Sequence, residues 1–179
     1  MVHHKSLVGK YISLKPVSIE DAEFILKLRL DNEKNKYIHK TPNNIEAQRE
    51  WIENQRSRSN DYYFLILNKE QKPLGTISLY NLERSSGELG RWISYGNAYE
   101  NLESVLLLHQ FAYQILNLES VYTCTKVENK KVIRFWNKFG SDQCEEIEVD
   151  DWTASKNSVF KSTFYESIFP RICGLLNLD

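Results

Sequence analysis

The chain has 179 residues, a length that suits one domain able to bury about 70% of the surface of its unfolded form. Its 41% apolar and 26% charged residues are ordinary for a globular protein and exclude a disordered or fibrous class. The 23 basic and 24 acidic side chains nearly cancel, so we expect no nucleic-acid partner, and any anion site must be local.

Cysteine and histidine usage argues against metal and disulfide chemistry. The three cysteines, Cys124, Cys144 and Cys173, are odd in number and widely scattered, and the four histidines lack metal-binding spacing. The segment from Met1 to Lys5 has no signal-peptide core, and no apolar run is long enough for a membrane span. We therefore expect a soluble cytoplasmic protein without a metal and without a membrane partner.

The first third of the chain predicts a strand and two helices. Alternation from Tyr11 to Pro16 is typical of a half-buried strand. Ser18 to Asp21 has the pattern of a capping box before a helix that ends near Leu30. After a polar loop, Asn43 or Asn44 is expected to cap a second helix.

The middle of the chain predicts three strands and a long helix. Tyr62 to Leu67 and Leu74 to Tyr80 form an antiparallel hairpin around a polar turn. Leu89 to Ser94 is the next strand. From Asn101 the apolar positions mark one stripe of a helix that reaches Leu116, and Val121 to Val127 is again a strand.

The last third predicts a short amphipathic helix and two strands. The apolar positions of the helix have the spacing i, i+3, i+4 and i+7; they are Val132, Phe135, Trp136 and Phe139. Gly140 follows at the position where a left-handed C-cap is expected. Strands are expected near Glu146 to Val149 and Val159 to Ile168. We predict one mixed α/β domain over residues 9–169, with an N-terminal extension (1–8) and a C-terminal tail (170–179).

The order strand, loop, helix, strand, helix from Glu88 to Gly140 resembles the acyl-CoA-binding half of the GCN5-related N-acetyltransferases, the GNAT superfamily. The chain from Gly9 to about Ile168 can be laid onto the same family. The resemblance implies a mostly antiparallel sheet of about seven strands, in which the fourth and fifth splay apart between flanking helices. It also implies an acyltransferase that moves acetyl from acetyl-CoA directly to a primary amine.

The resemblance assigns cofactor contacts first to the fourth strand and its following loop. Backbone N–H groups of Trp92, Ile93, Ser94 and Tyr95 would face the pantetheine arm and the thioester oxygen. The pyrophosphate would lie on the loop 96–103 and the next helix N-terminus. Cofactor-binding candidates in that loop are Asn97, Tyr99, Asn101 and Leu102.

This loop departs from the family pattern. The family loop is rich in Arg and Gly, whereas this one has a single glycine and two acids. Asn97 and Asn101 tolerate left-handed backbone conformations, so they can replace glycine in part. An ordinary strand-to-helix loop with Asn101 as helix cap is the alternative interpretation.

Further cofactor candidates lie on the short helix. Asn129 stands where the family has an Asn that binds the pantetheine arm, although it also suits a helix N-cap. Lys131 is a candidate to bind the cofactor phosphates; the alternative is that it lies on the solvated face of the helix. Trp136 occupies the place of a family Tyr that protonates the departing thiolate; indole cannot do so, and we expect Trp136 to pack against the core or the cofactor.

The acid and base candidates are carboxylate, imidazole and phenol groups. Glu88 stands where ribosomal-protein N-terminal acetyltransferases often have a carboxylate and is the first candidate base, unless it is a surface residue beside a turn. His39, in the loop that lines the acceptor site in this family, is the second. Tyr122, Tyr99 or water would supply the proton to sulfur.

The acceptor is expected to be a small-molecule amine. Leu28-Arg29, the loop from Tyr37 to Thr41 and the segment from Tyr62 to Leu65 resemble acetyltransferases of nucleotide-linked amino sugars. Arg29 offers a fork for a diphosphate or carboxylate, and Tyr37, His39 and Tyr80 offer stacking surfaces. A protein N-terminus or polyamine is the second acceptor, and a non-catalytic CoA-binding domain is an alternative of another class. The family's habit also implies a homodimer.

Overall fold

The computed structural model describes residues 5–178, so residues 1–4 of the predicted extension and Asp179 lie outside the described part. Eight strands are described: β1 (Leu7–Val8), β2 (Ile12–Pro16), β3 (Tyr62–Asn68), β4 (Pro73–Glu83), β5 (Ser86–Ser94), β6 (Ser120–Lys126), β7 (Gln143–Val149) and β8 (Trp152–Phe160). They form one sheet in the order β1-β2-β3-β4-β5-β6-β8-β7. All neighbours are antiparallel except β5 and β6. The predicted mixed, mostly antiparallel sheet is confirmed.

The strand count exceeds the expected seven because Leu7–Val8 pairs with β2 and adds a strand at the edge. The family's fourth and fifth strands are therefore β5 and β6. The helices are α1 (Ala22–Leu30), α2 (Ile45–Ser57), α3 (Ala98–Gln110), α4 (Lys130–Phe139), α5 (Lys161–Thr163) and α6 (Phe169–Leu176). Five-residue π-helical turns extend α3 at its end and join α5 to α6.

The predicted helix ends agree with the structure at three places. The N–H of Ser18 donates to Asp21 Oδ2 at 2.9 Å, which closes the capping box before α1. Asn44, one of the two expected caps, accepts from the N–H of Ala47 at 3.0 Å. Gly140 ends α4 with φ 114°, a left-handed conformation that disfavours any side chain.

The C-terminal segment differs from the prediction. The strand expected to reach Ile168 ends at Phe160, and the expected tail contains helix α6. Phe164, Ile168, Ile172 and Leu176 recur every four residues and are at most 1% exposed. This helical spacing buries one face against the core, and it was the signal that the strand prediction overlooked.

The core has two parts because β3 buries both of its faces. Tyr62, Phe64 and Ile66 pack with α3, α4 and α6, whereas Tyr63 and Leu65 point to the side of α1 and α2. His109 belongs to the first part and its Nδ1 lies 2.8 Å from the carbonyl oxygen of Val105. Burial lowers the pKa of His109 to about 4, so this ring is a neutral core residue at physiological pH.

A buried carboxylate ties the start of the chain to α3. Glu103 is 1% exposed and accepts hydrogen bonds from the N–H groups of Lys10, Tyr11 and Ile12 at 2.7, 2.7 and 2.8 Å. Gly9 makes this possible, because a Cβ there would lie 2.5 Å from the Glu103 carboxyl carbon. Three donors stabilise the buried charge that α3 carries in its second turn.

Two features are absent from residues 5–178. No helix among them has the length and apolar character needed to cross a membrane. Within the same residues, no group of three or more His, Cys, Asp or Glu side chains is arranged to hold a metal ion.

Candidate active site

A cleft opens where β5 and β6 separate. The two strands pair in parallel only from Ser86 with Ser120 to Glu88 with Tyr122, and beyond that pair no further register joins them in the described chain. The cleft that follows has a volume of about 810 Å³. Its walls are β5 from Leu89 to Trp92, β6 from Thr123 to Lys126, the start of α4, the loop after α1 and the β7–β8 turn.

An irregularity in β5 accompanies this separation. The β4–β5 register shifts between the Ser78–Gly90 pair and the Thr76–Ile93 pair, so β5 carries one extra residue there. Arg91 lies in this bulge with φ 48°, and its carbonyl oxygen accepts from Thr76 Oγ1 at 2.9 Å. A bulge increases local twist and re-aims side chains, which turns β5 away from β6 and directs Arg91 into the cleft wall.

Arg91 is the centre of a group of paired side chains that we call the Arg91 cluster, comprising Trp51, Asp61, Tyr80, Glu88 and Arg91. Two guanidinium nitrogens bind the two oxygens of Asp61 at 2.6 and 3.0 Å. The guanidinium carbon lies 4.2 Å from the ring centroid of Tyr80 and 5.1 Å from that of Trp51. A bidentate ion pair between aromatic faces holds this cation in one geometry.

Glu88 is tied to the same cluster. Its carboxylate accepts from Tyr80 Oη and from Asn81 Nδ2, each at 2.9 Å. Burial, followed by the nearby Glu88 carboxylate, raises the pKa of Tyr80 well above its usual range, so the phenol stays a donor. A carboxylate has about four lone-pair sites, so Glu88 keeps capacity to accept from a water or an ammonium group in the cleft.

The loop after α1 forms another wall. Arg29 Nε donates to Thr41 Oγ1 at 2.7 Å, and its Nη2 reaches the carbonyl oxygen of His39 at 3.4 Å. Burial lowers the pKa of Arg29, although guanidinium remains charged at neutral pH. Tyr37 and the exposed His39 also line the cleft. The structure thus brings together all four predicted acceptor residues, since Tyr80 lines it too.

The predicted cofactor loop is shorter than expected. Helix α3 begins at Ala98 with Asn97 as its cap, so Asn101 and Leu102 lie within its first turns. Asn97 Oδ1 accepts from the N–H groups of Tyr99 and Glu100 at 2.9 and 3.1 Å, and Glu100 accepts from the N–H of Asn97 at 2.8 Å. The helix's own side chains therefore cap its first N–H groups, which an anion at the helix N-terminus would otherwise bind.

One of the loop's two acids does not face this helix start. Glu103 is buried and bonded to backbone N–H groups at the start of β2, as described above, which leaves Glu100 as the local carboxylate. Asn101 Nδ2 donates to the carbonyl oxygen of Gly96 at 2.6 Å and braces the loop. Tyr99 is 52% exposed and its ring lies 5.6 Å from that of Tyr11.

The four predicted residues at the end of β5 have different surroundings. Trp92 lines the cleft, whereas Ile93 is buried in the core. Ser94 Oγ accepts from the N–H of Gly96 at 2.8 Å. Tyr95 donates its N–H to the carbonyl oxygen of Leu74 and its hydroxyl to Asp31, and it lines a separate open pocket of about 620 Å³.

Helix α4 contributes the next group. Asn129 lines the cleft and caps α4, with the N–H of Val132 at 3.4 Å from its Oδ1. Trp136 also lines the cleft and packs on Trp92 with ring centroids 5.7 Å apart. Lys131 is exposed. Trp136 is therefore part of an aromatic wall, which agrees with the packing role expected for it.

The tyrosines expected to supply a proton are not in the cleft lining. Tyr122 pairs with Glu88 at the last β5–β6 rung, and Lys156 Nζ lies 5.1 Å from its ring centroid. Burial, and then the Glu88 carboxylate, raise the pKa of Tyr122 to about 12. The exposed Tyr99 stands against Tyr11 as described. Neither phenol faces the cleft in this conformation.

Three other residues in the cleft wall carry polar atoms with unmet hydrogen-bonding capacity. Trp92 Nε1, Thr123 Oγ1 and Trp152 Nε1 are shielded from solvent and have no hydrogen-bond partner within the described chain. We call these residues the unpaired set. Buried polar groups are normally bonded, so this set indicates a ligand rich in acceptors. The amide carbonyls and the thioester of a pantetheine arm would supply such acceptors, so the residues present fit acetyl-CoA along this wall.

Several residues that line the cleft, and Asp61 behind them, were not among the sequence predictions. Arg91, Asp61 and Trp51 acquire their role from a bulge and a long-range ion pair, which sequence spacing does not encode. Thr123 has no distinguishing neighbour in the sequence. Trp152 lies between the two strands predicted in the last third of the chain, where no sequence pattern marks it.

Comparison with known proteins identifies the family. The family model described as an acetyltransferase (GNAT) domain matches residues 12–142, well over half of the chain. The chain belongs to the GNAT family of acetyltransferases. It is therefore an acyltransferase, and the predicted fold and family are confirmed by this match and by solved structures. No curated protein matched the sequence.

Solved structures similar to this GNAT protein include enzymes with different acceptors. Apo FdhC, described as a nucleotide-linked sugar GNAT, is 30% identical with a TM-score of 0.80, over 94% of this chain and 97% of that one. A GCN5-related N-acetyltransferase from Brucella melitensis is 16% identical with a TM-score of 0.77, over 98% and 85%. A point mutant of the spermidine N-acetyltransferase SpeG from Vibrio cholerae is 16% identical with a TM-score of 0.70, over 86% and 96%.

Proposed function

We propose that this protein transfers acetyl from acetyl-CoA to the amine of a nucleotide-linked amino sugar. The observation that carries the proposal is the cationic and aromatic acceptor side of the cleft. Similarity to FdhC over nearly the whole chain supports the same acceptor class. At 16% identity, the likeness to the spermidine enzyme supports the fold alone.

The charge of the lining favours an anionic acceptor. Five cationic side chains line the cleft: Arg29, Lys40, Arg58, Arg91 and Lys126. Arg91 is already paired with Asp61, and the other four stand against the carboxylates of Glu88 and Asp150. A polyamine carries several positive charges and would be repelled by this excess. A diphosphate would be attracted, and guanidinium groups bind phosphate oxygens through paired N–H donors.

Aromatic rings supply the other half of acceptor recognition. Tyr37, Trp51, Tyr63 and Tyr80 line the cleft, and Tyr63 is itself only 4% exposed. Trp51 meets Tyr63 edge to face at 5.7 Å and leaves its own surface 36% exposed. Exposed aromatic faces beside guanidinium groups suit a nucleobase and a sugar ring, since stacking tolerates both.

Acetyl-CoA would be held by the opposite side of the cleft. Asn129, Trp92 and Trp136 lie along the strand separation, where the pantetheine arm would run. At the pyrophosphate end the self-capped start of α3 would have to exchange the Asn97 contacts for phosphate oxygens. Acetyl-CoA supplies the activated acetyl group, so the protein's work is to orient the amine and manage protons.

Glu88 is the proposed base. It lies at the last paired rung of β5, with its carboxylate fixed by Tyr80 and Asn81. A carboxylate held at the narrow end of the cleft can take the proton of an acceptor ammonium directly or through one water. His39 stays a second candidate because it lines the same cleft but is exposed.

The test is a two-step experiment with purified protein. Thermal unfolding is first followed with and without 1 mM acetyl-CoA; a ligand at about 100 times its Kd stabilises by about 2.7 kcal/mol, which raises Tm by several degrees. Thiol release is then measured with nucleotide-linked amino sugars, N-terminal peptides and polyamines at equal concentration. We expect the sugar nucleotides to give the highest kcat/KM.

Each outcome has a distinct meaning. Turnover of spermidine or peptides alone would remove the sugar-nucleotide acceptor while keeping the acetyltransferase. Stabilisation by acetyl-CoA without turnover of any amine would favour a CoA-binding domain without catalysis. No stabilisation would contradict both proposals.

A further inference from the structure

Thr123 occupies the apex of the cleft. It is the first β6 residue beyond the last β5–β6 pair, Glu88 with Tyr122, so it lies where the strands begin to part. The residue is 5% exposed, and its hydroxyl has no hydrogen-bond partner in the described residues. A buried hydroxyl without a partner is unfavourable in the free protein, and a ligand that pairs with it removes that penalty.

Two other cleft hydroxyls already take part in hydrogen bonds. Tyr80 Oη donates to Glu88 at 2.9 Å, and Thr41 Oγ1 accepts from Arg29 at 2.7 Å. The phenols of Tyr99 and Tyr122 lie outside the cleft lining. Thr123 is thus a buried hydroxyl whose donor is still available at the narrow end of the cleft.

Acetyl transfer would be assisted by a hydrogen-bond donor at the narrow end of the cleft. Acetyl transfer from a thioester breaks the carbon–sulfur bond, and negative charge develops on the departing sulfur. A hydrogen bond to a group that gains charge becomes stronger as the bond breaks, so it speeds the chemical step. Trp136 and Trp92 line the same cleft and pack on each other. Aromatic surface beside the thioester would exclude water, so stabilisation of the departing sulfur would fall to the protein.

We propose that Thr123 Oγ1–H donates a hydrogen bond to the sulfur of acetyl-CoA and stabilises its departure as thiolate. This inference rests on the proposed function. In the step, the carbon–nitrogen bond forms and the carbon–sulfur bond breaks, with the electron pair staying on sulfur. One proton of the acceptor ammonium passes to Glu88 and then to solvent, and the second passes from nitrogen to sulfur. Thr123 keeps its own proton throughout.

The test separates sulfur from the rest of the cofactor. Thr123→Val removes the hydroxyl at nearly constant volume, and Thr123→Ser retains it. Calorimetric titration measures the affinity of each protein for CoA and for desulfo-CoA, which lacks the sulfur. We expect Thr123→Val to bind CoA about fivefold more weakly than the unchanged protein, Thr123→Ser to bind CoA within about twofold, and all three to bind desulfo-CoA alike.

Stability and turnover give two further readouts. Because the hydroxyl has no partner in the free protein, Thr123→Val should unfold at the same temperature or higher. Its kcat should fall about tenfold with the acceptor KM unchanged, and Thr123→Ser should restore most of the rate. Thr153→Val is the matched control, since it removes a β8 hydroxyl that bonds to Glu148 outside the cleft lining.

Two results would overturn the inference. One is a Thr123→Val protein that binds CoA and turns over like the unchanged protein. The other is an equal loss of affinity for CoA and desulfo-CoA, which would place the contact elsewhere on the cofactor. If the unchanged protein does not bind acetyl-CoA at all, the proposed function fails, and that result is visible before any variant is made.

Discussion

The Arg91 cluster, apart from Asp61, and the unpaired set line the same cleft, but the charged groups of the cluster have hydrogen-bond partners and the shielded polar atoms of the set have none in the described residues. In the cluster, Asp61, Arg91, Tyr80 and Glu88 form a continuous chain of contacts between 2.6 and 4.2 Å. In the set, Trp92, Thr123 and Trp152 each carry a shielded atom without a partner in the described residues. The charged groups of the cluster are paired in the free protein, and we expect a ligand to pair the polar atoms of the set.

This difference matches the demands of a two-substrate transfer. Residues that align a base and an acceptor must already be in place, because misalignment by about 1 Å can reduce the rate about 100-fold. Residues that hold a long flexible cofactor can stay unpaired, since binding then satisfies them and gains affinity. Substitutions in either region test whether the distinction is real.

The largest effect is expected from Asp61→Ala, which removes one partner of the cluster's ion pair. The side chains of Asp61 and Arg91 are 8% and 17% exposed, so Arg91 would be left largely buried and unpaired. We expect the free energy of unfolding to fall by about 3 kcal/mol, measured by urea denaturation.

Glu46→Ala is the control for that experiment. It breaks an exposed pair with Arg49, 2.8 Å apart, in which the Glu46 side chain is 74% exposed, and it should cost less than about 0.5 kcal/mol. A loss no larger in Asp61→Ala than in Glu46→Ala would contradict the view that the Arg91 cluster is preorganised by its ion pair.

Glu88→Gln comes next and tests the proposed base. Gln can still accept from Tyr80 but cannot take a proton, so kcat at neutral pH should fall about 100-fold while acetyl-CoA affinity stays within about twofold. Steady-state kinetics and titration measure the two quantities. Glu83→Gln, at the exposed end of β4, is the control; equal rates for both variants would remove Glu88 from the mechanism.

The smallest expected effect is a gain from Glu100→Gln at the cofactor end. The carboxylate of Glu100 caps the N–H of Asn97 and carries negative charge where a pyrophosphate would lie. Removing the charge should tighten acetyl-CoA binding about threefold at low salt, with a smaller gain at about 0.5 M salt because the effect is electrostatic.

Glu166→Gln, at an exposed position near α6, controls for net charge in the Glu100 experiment. The same change in net charge there should leave affinity as it was. Weaker binding in Glu100→Gln would mean that the cap itself, and not its charge, prepares the start of α3.

Local signals in the sequence predicted most of the fold. The Ser18–Asp21 capping box, the Asn44 cap and the left-handed Gly140 each depend on a few adjacent residues, and the structure agrees at all three. The C-terminal helix was missed because Phe164 and Tyr165 favour strands in isolation, whereas burial of Ile168 and Ile172 against the core decides for a helix.

The site was harder to predict because its contacts are distant in sequence. Glu88 and the loop around His39 followed from family spacing, and both line the cleft. Asp61 and Arg91 are 30 positions apart and are brought together by a bulge in β5. Glu103, expected in the cofactor loop, is instead buried and bonded to N–H groups at the start of β2. Tertiary packing determines these pairings, and residue order alone does not contain them.

The Gly9–Glu103 contact has a consequence for sequence variation near the beginning of the chain. Any β-carbon at position 9 would lie 2.5 Å from the Glu103 carboxyl carbon, too close for a normal contact. It would disturb the three hydrogen bonds that backbone N–H groups donate to this carboxylate. The stress would be transmitted to α3, whose first turn adjoins the cofactor loop. Substitution of this glycine is therefore expected to disturb α3 as well as the start of β2.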